Sequence, residues 1–535
     1  MKIHRKPEVE WYSQPINLSM TPSQDAIWRQ PTAPGRHTRW WPCFLVLLLV
    51  LAGLQLLHLP QNLDYTTFAF GEAGANLNVA WLVQHGMRPA VDFGHPYGLL
   101  GLLLLDGWFR LTGITPLAYF SFIVALEVLM IAALAEFAVV AELPWYRVAF
   151  IAVALPLFLW VNFLNAAHAV ETAFLFAAVL AHVKGRYDLA LSAAAAAVLA
   201  RPGLGYVYGA ALLGFVVMKI ARRELKASIL ALPIICTLCL AMLLAWRFGR
   251  VSLARTLLPT AGVQNYRLMN YGFFRKGMAF WWPSPFTWHH YLGVSGFWLL
   301  SAATLILLGP IAFLRSRKLD GLQQRQSEFA LAASIVIFVW IFFAFSHQYI
   351  GGWILYLFFA VLGTVLLGNF FHRFDAVFVV LVLLVVNADR HEIEGSMQLW
   401  RATNASSLAA HMFSHGNEDK DVQQLFDFVQ GHPTAVLQYS GGLALMRTGL
   451  GQPANEFFQP GISLDTEIAR EKAYVATAEY VLIPTPRWYS VDTAAFSWTQ
   501  FLDHRRRYCM VFRNSMGIVL AGEPAEDCSS ESAAR

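Results

Sequence analysis

The chain has 535 residues, of which 57% are hydrophobic and only 14% are charged, and its formal net charge is +5. A soluble protein of this size could not cover so apolar a chain with polar surface, so the composition predicts a membrane protein. The small net charge carries no nucleic-acid-binding signature, and we expect no nucleic-acid partner.

The N-terminal segment, residues 1–40, is polar, contains prolines and has no hydrophobic period, which predicts a disordered cytoplasmic tail. It is too long and too mixed in composition for the n-region of a signal peptide. The chain is then apolar from Trp41 to Pro60. We expect an uncleaved first transmembrane span there, entered through a pair of interfacial tryptophans.

Apolar segments of about 20 residues, the length that crosses a bilayer as a helix, recur as far as residue 389. They predict eleven transmembrane helices with a cytoplasmic N-terminus, forming a membrane domain over residues 41–389. With this count the basic clusters between the spans lie in the cytoplasm, as the positive-inside rule requires, except for one basic loop at residues 247–291. The predicted spans are 41–60, 115–140, 147–162, 170–183, 188–200, 203–219, 228–246, 292–314, 328–345, 350–368 and 374–389.

A further apolar run, from Tyr97 to Leu111, is short for a span and carries Asp106 and Arg110. If it were a twelfth span, every basic cluster after it would change sides. We therefore interpret it as a helix at the outer membrane interface or dipping into the protein from that side. Residues 61–116 then form one large extracytoplasmic loop.

Arg201 interrupts an apolar stretch in the sequence LARPGL, where two short helices would meet at the outer face. An arginine at membrane depth is costly unless it is paired or solvated, which indicates a functional role. The alternative is a side chain that extends from a helix end to the interface.

A later outer loop, residues 247–291, contains six basic residues and no acidic one, and it ends in FWWPSPFTWHH. Arginines for phosphate oxygens and aromatic rings for the interface favour a lipid with an anionic head group. An ordinary aromatic belt with scattered charges is the alternative. The candidates for phosphate binding here are Arg255, Arg267 and His289.

The predicted outer loops together hold carboxylates, histidines and arginines, and no one of these residues is diagnostic alone. A carboxylate beside a cationic site can deprotonate an acceptor hydroxyl while the cations stabilise a departing phosphate. The candidates outside the basic loop are Glu72, Asp92, His95, Tyr97, His168, Glu171 and Arg201.

The order of these features resembles the GT-C superfamily of integral-membrane glycosyltransferases, to which lipid A aminoarabinose transferases and protein O-mannosyltransferases belong. The likeness rests on the stretch EAGANLNVAWLVQHGMRPAVDFGHPYGLL with FRLTG after it, the short acidic second outer loop NFLNAAHAVE and the RPG break. One departure stands out: many members have Asp-Glu at the first acidic position, whereas this chain has Gly71 before Glu72.

The resemblance implies a polyprenyl-phosphate sugar donor bound at the periplasmic face of a bacterial inner membrane, and transfer to a glycan or lipid acceptor with inversion. It implies that Glu72 is the general base or positions the acceptor, with Asp92 as the alternative. Glu171 with His168 would be the second acidic site, and Arg201 would face the donor phosphate. Some relatives use a divalent ion; with one carboxylate replaced by Gly71, we expect no metal and no other cofactor.

Residues 390–535 alternate short β-type runs with helical segments, which predicts a soluble extracytoplasmic α/β domain with a hairpin turn at 514–517. Cys509 and Cys528 both lie in it and could form a disulfide if the domain is periplasmic. Two other functions stay open. One is a transporter or flippase of lipid-linked sugars, which would need an inverted repeat that the sequence lacks. The other is a non-catalytic assembly partner with the same fold.

Overall fold

The chain is described here by a computed structural model. The residues that it describes are 36–63, 68, 72–203, 205–257, 292–316, 321–347, 357–371, 374–402, 421, 424–425, 427–436, 465–484, 502–503, 506–515 and 517–522.

Long apolar helices form most of the molecule. In chain order they are α1 Arg36–Asn62, α2 Glu72–Gln84, α3 Leu99–Thr112, α4 Pro116–Val140, α5 Trp145–Leu164, α6 Ala166–Val183, α7 Tyr187–Ala200, α8 Gly205–Ala221, α9 Ala231–Phe248, α10 Arg250–Leu257, α11 Val294–Ser316, α12 Leu322–His347, α13 Leu357–Leu367 and α14 Asp375–Ala402.

Each of the predicted spans overlaps one of these helices; residues 350–356 of the span 350–368 lie outside the described residues. Within the described part of the chain, five helical segments are long and apolar enough to cross a membrane: Arg39–Asn62, Pro116–Val140, Ala166–Val183, Ala227–Phe248 and Ser295–Ser316. Shorter apolar helices occupy several of the other predicted spans. The prediction of a polytopic helical membrane protein is confirmed. The count of eleven spans stays a prediction.

The run from Tyr97 to Leu111 forms α3, and one face of this helix is buried. Its acidic residue Asp106 is buried and accepts hydrogen bonds from Gln84 at 3.1 Å, Arg110 at 3.1 Å and Arg247 at 3.0 Å. These contacts neutralise a carboxylate that would otherwise be costly to bury. They also tie α3 to the end of α2 and to the end of α9.

The buried side chains form two main hydrophobic clusters. The larger one runs through α1, α4 to α8 and α11 to α14 and makes up the body of the helical bundle. The smaller one joins α2 and α3 to the start of α4, the start of α6 and the ends of α7 and α9. The candidate site lies in this second cluster, at the end of the bundle where α6 begins.

A buried ionic network occupies the opposite end of the same helices; we call it the inner cluster. Glu328 of α12 lies 2.8 Å from Lys219 of α8 and 3.6 Å from His182 of α6, and it accepts a 2.6 Å hydrogen bond from Tyr187 of α7. Tyr208 completes the cluster, with its hydroxyl 3.1 Å from His182 Nδ1. The inner cluster therefore connects four helices through buried polar groups that sequence analysis had not singled out.

The C-terminal region contains a four-stranded mixed sheet in the order β1-β2-β4-β3, made of β1 Thr434–Val436, β2 Tyr480–Pro484, β3 Tyr508–Arg513 and β4 Gly517–Gly522. β1 and β2 are parallel, and the other pairs are antiparallel. A helix, α15 Asp465–Thr477, precedes β2. The predicted hairpin turn is present: Asn514 N–H donates to the Gly517 carbonyl at 3.0 Å.

Cys509 lies on β3 and is disulfide-bonded. The cysteines Cys43, Cys236 and Cys239 are free. The fifth cysteine, Cys528, lies outside the described residues.

Candidate functional site

A cavity lies between the facing ends of α2, α3 and α6, and its empty space of about 380 Å³ includes the volume that is open to solvent. Within the part of the chain that the structure describes, the lining combines small and aliphatic residues with four polar side chains and no charged one. The lining residues are Ala75, Asn76, Val79, His95, Tyr97, Gly98, Gly101, Leu102, Leu105, Asn165, Ala166 and Ala167.

Glu72 is the first residue of α2. Ala75, Asn76 and Val79, which line the cavity, follow it at the spacings that place residues on one face of a helix. Glu72 therefore begins the helix that carries these lining residues. Its side chain lies outside the described residues, and its predicted catalytic role stays a prediction.

Three aromatic rings run from the cavity towards the first turn of α6. The ring of His95 lies 5.9 Å from that of Tyr97, and Tyr97 lies 5.5 Å from His168, both pairs edge to face. His168 is only 7% exposed. The structure thus joins the two first-loop candidates, His95 and Tyr97, to the second-loop histidine.

Glu171 is one turn further along α6 and is 1% exposed. Its Oε2 accepts a 3.1 Å hydrogen bond from Nη1 of Arg201, whose side chain is 22% exposed. A buried carboxylate paired with a partly exposed guanidinium leaves the cation able to meet a ligand from outside. We call His95, Tyr97, His168, Glu171 and Arg201 the outer cluster.

Two glycines allow α3 to approach the start of α6 and the end of α7 closely. A Cβ on Gly98 would lie 2.3 Å from the Leu199 carbonyl oxygen and 2.7 Å from the Ala200 carbonyl carbon, which no side chain tolerates. At Gly101 a Cβ would lie 3.1 Å from the Cα of Ala167. Because both positions are glycine, α3 packs directly on the last turn of α7, immediately before Arg201.

Asp92 is placed differently from the other acids. Its carboxylate accepts hydrogen bonds from the Arg88 side chain at 3.0 Å and 3.1 Å and from the Arg88 backbone at 2.8 Å. These contacts lower the pKa of Asp92. The Asp92 carbonyl also accepts a 3.2 Å hydrogen bond from Arg470 of α15, which links the loop to the C-terminal region.

Of the arginines predicted to bind phosphate in the basic loop, Arg255 lies on α10 and donates a 2.9 Å hydrogen bond to the Ala90 carbonyl. It therefore contacts the same loop that carries Asp92 and His95. Arg267 and His289 lie outside the described residues, and their predicted role stays a prediction.

No group of three or more His, Cys, Asp or Glu side chains that could hold a metal ion occurs in the part of the chain that the structure describes. The Glu72 side chain falls outside that part. The expectation that no metal is used therefore remains a prediction.

Sequence analysis missed two asparagines that shape the cavity. Asn165 caps α6 and accepts from the Ala167 N–H at 2.9 Å, while Asn76 accepts from the Ala166 N–H at 3.3 Å. A signal for Asn165 was present, because asparagine directly before an apolar helical run is a typical N-cap. Asn76 could have been identified from its position one helical turn after Glu72.

These features define a polytopic helical membrane protein with a neutral cavity and an adjacent arginine–glutamate pair at one end of its bundle. No protein-family model matches the chain, and no curated protein sequence matches it. Its fold does match a solved structure, the crystal structure of ArnT from Cupriavidus metallidurans bound to undecaprenyl phosphate.

The match has a TM-score of 0.50 and 12% sequence identity, and it covers 89% of this chain and 97% of that chain. The structure of ArnT from the same organism in the apo state aligns over the same shares with a TM-score of 0.35, which is too low to support an argument. At this level of identity the match shows a shared fold, as the sequence resemblance predicted.

Proposed function

We propose that this protein is a GT-C type glycosyltransferase of the bacterial inner membrane. It moves a sugar from a polyprenyl-phosphate donor to a glycan or lipid acceptor at the periplasmic face. The acceptor belongs to a cell-envelope polysaccharide or lipopolysaccharide. The observation that carries the proposal is the outer cluster. A partly exposed arginine, held by a buried glutamate, lies beside a neutral cavity that one face of α2 lines, and the fold is that of ArnT, whose matched structure holds undecaprenyl phosphate.

In the proposed reaction the acceptor hydroxyl oxygen attacks the anomeric carbon of the donor sugar. Glu72 accepts the hydroxyl proton, the new carbon–oxygen bond forms, and the bond from the anomeric carbon to the phosphate oxygen breaks with inversion. Polyprenyl phosphate leaves with the bonding electron pair. Arg201 stabilises the negative charge that develops on the phosphate, and Glu171 holds the Arg201 guanidinium in place.

We assign the base to Glu72 rather than to Asp92. Arg88 already hydrogen-bonds both carboxylate oxygens of Asp92 and lowers its pKa, which makes it a weaker base. In this proposal Asp92 shapes the loop and does not take part in proton transfer.

The proposed topology has eleven spans, a cytoplasmic N-terminus and a periplasmic domain over residues 390–535. Two observations support it: a helix lies at each predicted span, and Cys509 is disulfide-bonded, as expected in an oxidising compartment. Alkaline phosphatase fused to the C-terminus should be active in cells, and the same reporter fused after Lys226 should be inactive. The reverse pattern would rule the topology out.

The function is tested by sugar transfer in membranes that carry the intact protein, Glu72→Gln or Asp92→Asn. Radiolabelled polyprenyl-phosphate sugars serve as donors and the host glycans as acceptors. Glu72→Gln removes the charge and keeps the size, so we expect transfer to fall by at least about a hundredfold. Asp92→Asn is the matched control and should lower it by less than about tenfold.

Equal expression of the variants is checked by immunoblotting of the membranes. A large loss in Asp92→Asn with normal transfer in Glu72→Gln would exchange the two roles. If the intact protein consumes no donor while lipid-linked sugar still crosses the membrane, the enzyme proposal fails and the transporter takes its place. If the donor is neither consumed nor moved across the membrane, the result favours the assembly partner.

A further inference from the structure

His95 is the polar side chain of the cavity whose hydrogen-bonding capacity the fold leaves unused. Both ring nitrogens are shielded from solvent, and among the residues that the structure describes neither has a hydrogen-bond partner. Burial lowers the pKa of His95 to about 4; the Gly98 backbone lies close enough to offset part of that effect but not in hydrogen-bond geometry. The ring is therefore neutral at physiological pH, with one donor and one acceptor nitrogen.

The rest of the lining that the structure describes is also neutral and does not suit an anion. The first N–H groups of α6, which would otherwise attract a phosphate, are occupied: Asn76 accepts from Ala166 and Asn165 accepts from Ala167. No charged residue lines the cavity among the described residues. A buried neutral imidazole is matched by a group that both donates and accepts a hydrogen bond, which is what a hydroxyl does.

Arg201 lies just beyond this cavity, because Gly98 in its wall packs against Leu199 and Ala200 at the end of α7. The site therefore has a neutral compartment next to a cationic one. A sugar phosphate has the same two parts, a hydroxyl-bearing ring and an anion attached to it.

We propose that the cavity binds the sugar ring of the donor and that His95 hydrogen-bonds one of its hydroxyl groups, so that His95 recognises the sugar while Arg201 recognises the phosphate. This inference rests on the proposed function and adds the orientation of the donor to it. It also makes His95 a determinant of sugar specificity, since a site built for a hydroxyl rejects a ligand that lacks one.

The test compares two classes of lipid on the full-length protein in nanodiscs. One is undecaprenyl phosphate; the other is undecaprenyl phosphate carrying a hexose, an N-acetylhexosamine or an aminopentose. Affinities are measured for the intact protein and for His95→Phe, His95→Gln and His85→Leu. His95→Phe removes both nitrogens and keeps a ring beside Phe93 and Tyr97.

We expect at least one sugar-bearing lipid to bind the intact protein about tenfold or more tightly than undecaprenyl phosphate. His95→Phe should abolish that gain and leave the affinity for undecaprenyl phosphate within about twofold. His95→Gln, which keeps a donor and an acceptor, should recover part of the gain. His85→Leu, an exposed histidine of the same loop whose Nδ1 bonds to the Trp81 carbonyl, should change nothing.

Three results would overturn the inference: no sugar-bearing lipid binds more tightly than undecaprenyl phosphate, His95→Phe weakens both lipids equally, or the gain survives in His95→Phe. If His95→Phe does not fold, as judged by thermal unfolding, His95→Leu is measured in the same way. An intact protein that binds neither lipid class would instead refute the proposed function, so the two failures are distinguishable.

Discussion

The outer and inner clusters lie at opposite ends of α6 and α7, and similar residues serve different purposes in them. His168 and His182 both lie on α6, separated by about 21 Å along the helix axis. In the inner cluster Glu328 lies within ion-pair distance of Lys219 and His182. His182 Nε2 and Glu328 Oε1 make no hydrogen bond among the described residues, but both lie within these ion pairs. In the outer cluster, buried ring nitrogens of His95 and His168 have neither a hydrogen bond nor an ion pair among the described residues.

The difference teaches how to separate a structural polar cluster from a functional one inside a membrane protein. Buried polar groups cost free energy unless they find partners, so a network that pairs its charges internally acts as a connection between helices. A cluster that leaves polar atoms unpaired beside a cavity loses stability in the free protein, which is acceptable where a ligand supplies the missing partners. Variants at the inner cluster should therefore lose stability, and variants at the outer cluster should lose activity.

The largest expected effect on stability is at the inner cluster. Lys219→Met leaves the buried Glu328 carboxylate without its closest cation, and we expect the free energy of unfolding to fall by about 3–5 kcal/mol. The double variant with Glu328→Gln should recover part of the loss, because the uncompensated charge is gone. Unfolding in mixed micelles measures the change.

A matched control for that prediction is Glu136→Gln, which breaks a 2.7 Å ion pair with Lys184 at the same end of the bundle. Both side chains are partly exposed, so the expected cost is below about 1 kcal/mol. Sugar transfer per folded molecule should stay unchanged in Lys219→Met, in the double variant with Glu328→Gln and in Glu136→Gln. A large loss of transfer in folded Lys219→Met would mean that the inner cluster also serves the reaction.

The next largest effect is on activity at the outer cluster. Arg201→Gln removes the guanidinium that is proposed to meet the donor phosphate, and we expect transfer to fall by about thirtyfold to a hundredfold. Arg201→Lys keeps the charge without the planar fork and should retain more activity. Single-turnover transfer rates in nanodiscs measure both.

The stability of Arg201→Gln is to be compared with that of Lys219→Met. The side chain is 22% exposed and glutamine can still hydrogen-bond Glu171, so the loss of unfolding free energy should be smaller than in Lys219→Met. If Arg201→Gln is as unstable as Lys219→Met and its folded fraction transfers normally, the outer cluster is structural too and the contrast fails.

A smaller effect is expected from Gly98→Ala, which places a methyl group against the backbone at Leu199 and Ala200. We expect about 1–3 kcal/mol of destabilisation and a lower transfer rate, because α3 must move away from the end of α7. Gly107→Ala on the same helix is the control, since its Cβ would have nothing within 4 Å. Equal unfolding curves for the two variants would contradict the close approach of α3 to α7.

The smallest effect belongs to Asp92→Asn, which breaks a solvent-exposed pair with Arg88 and should lower the unfolding temperature only slightly at pH 7. The pKa of Asp92 is lower in the folded protein than its ordinary value near 3.8, so the pair stabilises the fold above that value. This stabilisation disappears as the pH falls through the lowered pKa. The unfolding temperatures of the intact protein and the variant should therefore differ equally at pH 6 and pH 8 and converge only below about pH 4.

Much of the fold was predictable from the sequence because its signals are local. Runs of apolar residues near the thickness of a bilayer marked the helices, and Arg201 before Pro202 marked the break after α7. The β-type runs and the turn residues at 514–517 marked the strands of the C-terminal sheet. These features depend on a few neighbouring residues, so no knowledge of the packing was needed.

The arrangement of the site was decided only by tertiary structure. The sequence placed Glu171, Arg201 and His95 in the same predicted compartment. Bringing His95 close to the Glu171–Arg201 pair requires α3 to pack on α6 and α7 through Gly98 and Gly101. The inner cluster escaped detection for the same reason, since its members are far apart in sequence and each resembles an ordinary charge near a helix end. Ion pairs and unpaired imidazole nitrogens depend on distances of a few ångströms between distant segments, and these distances are fixed by the packing of whole helices.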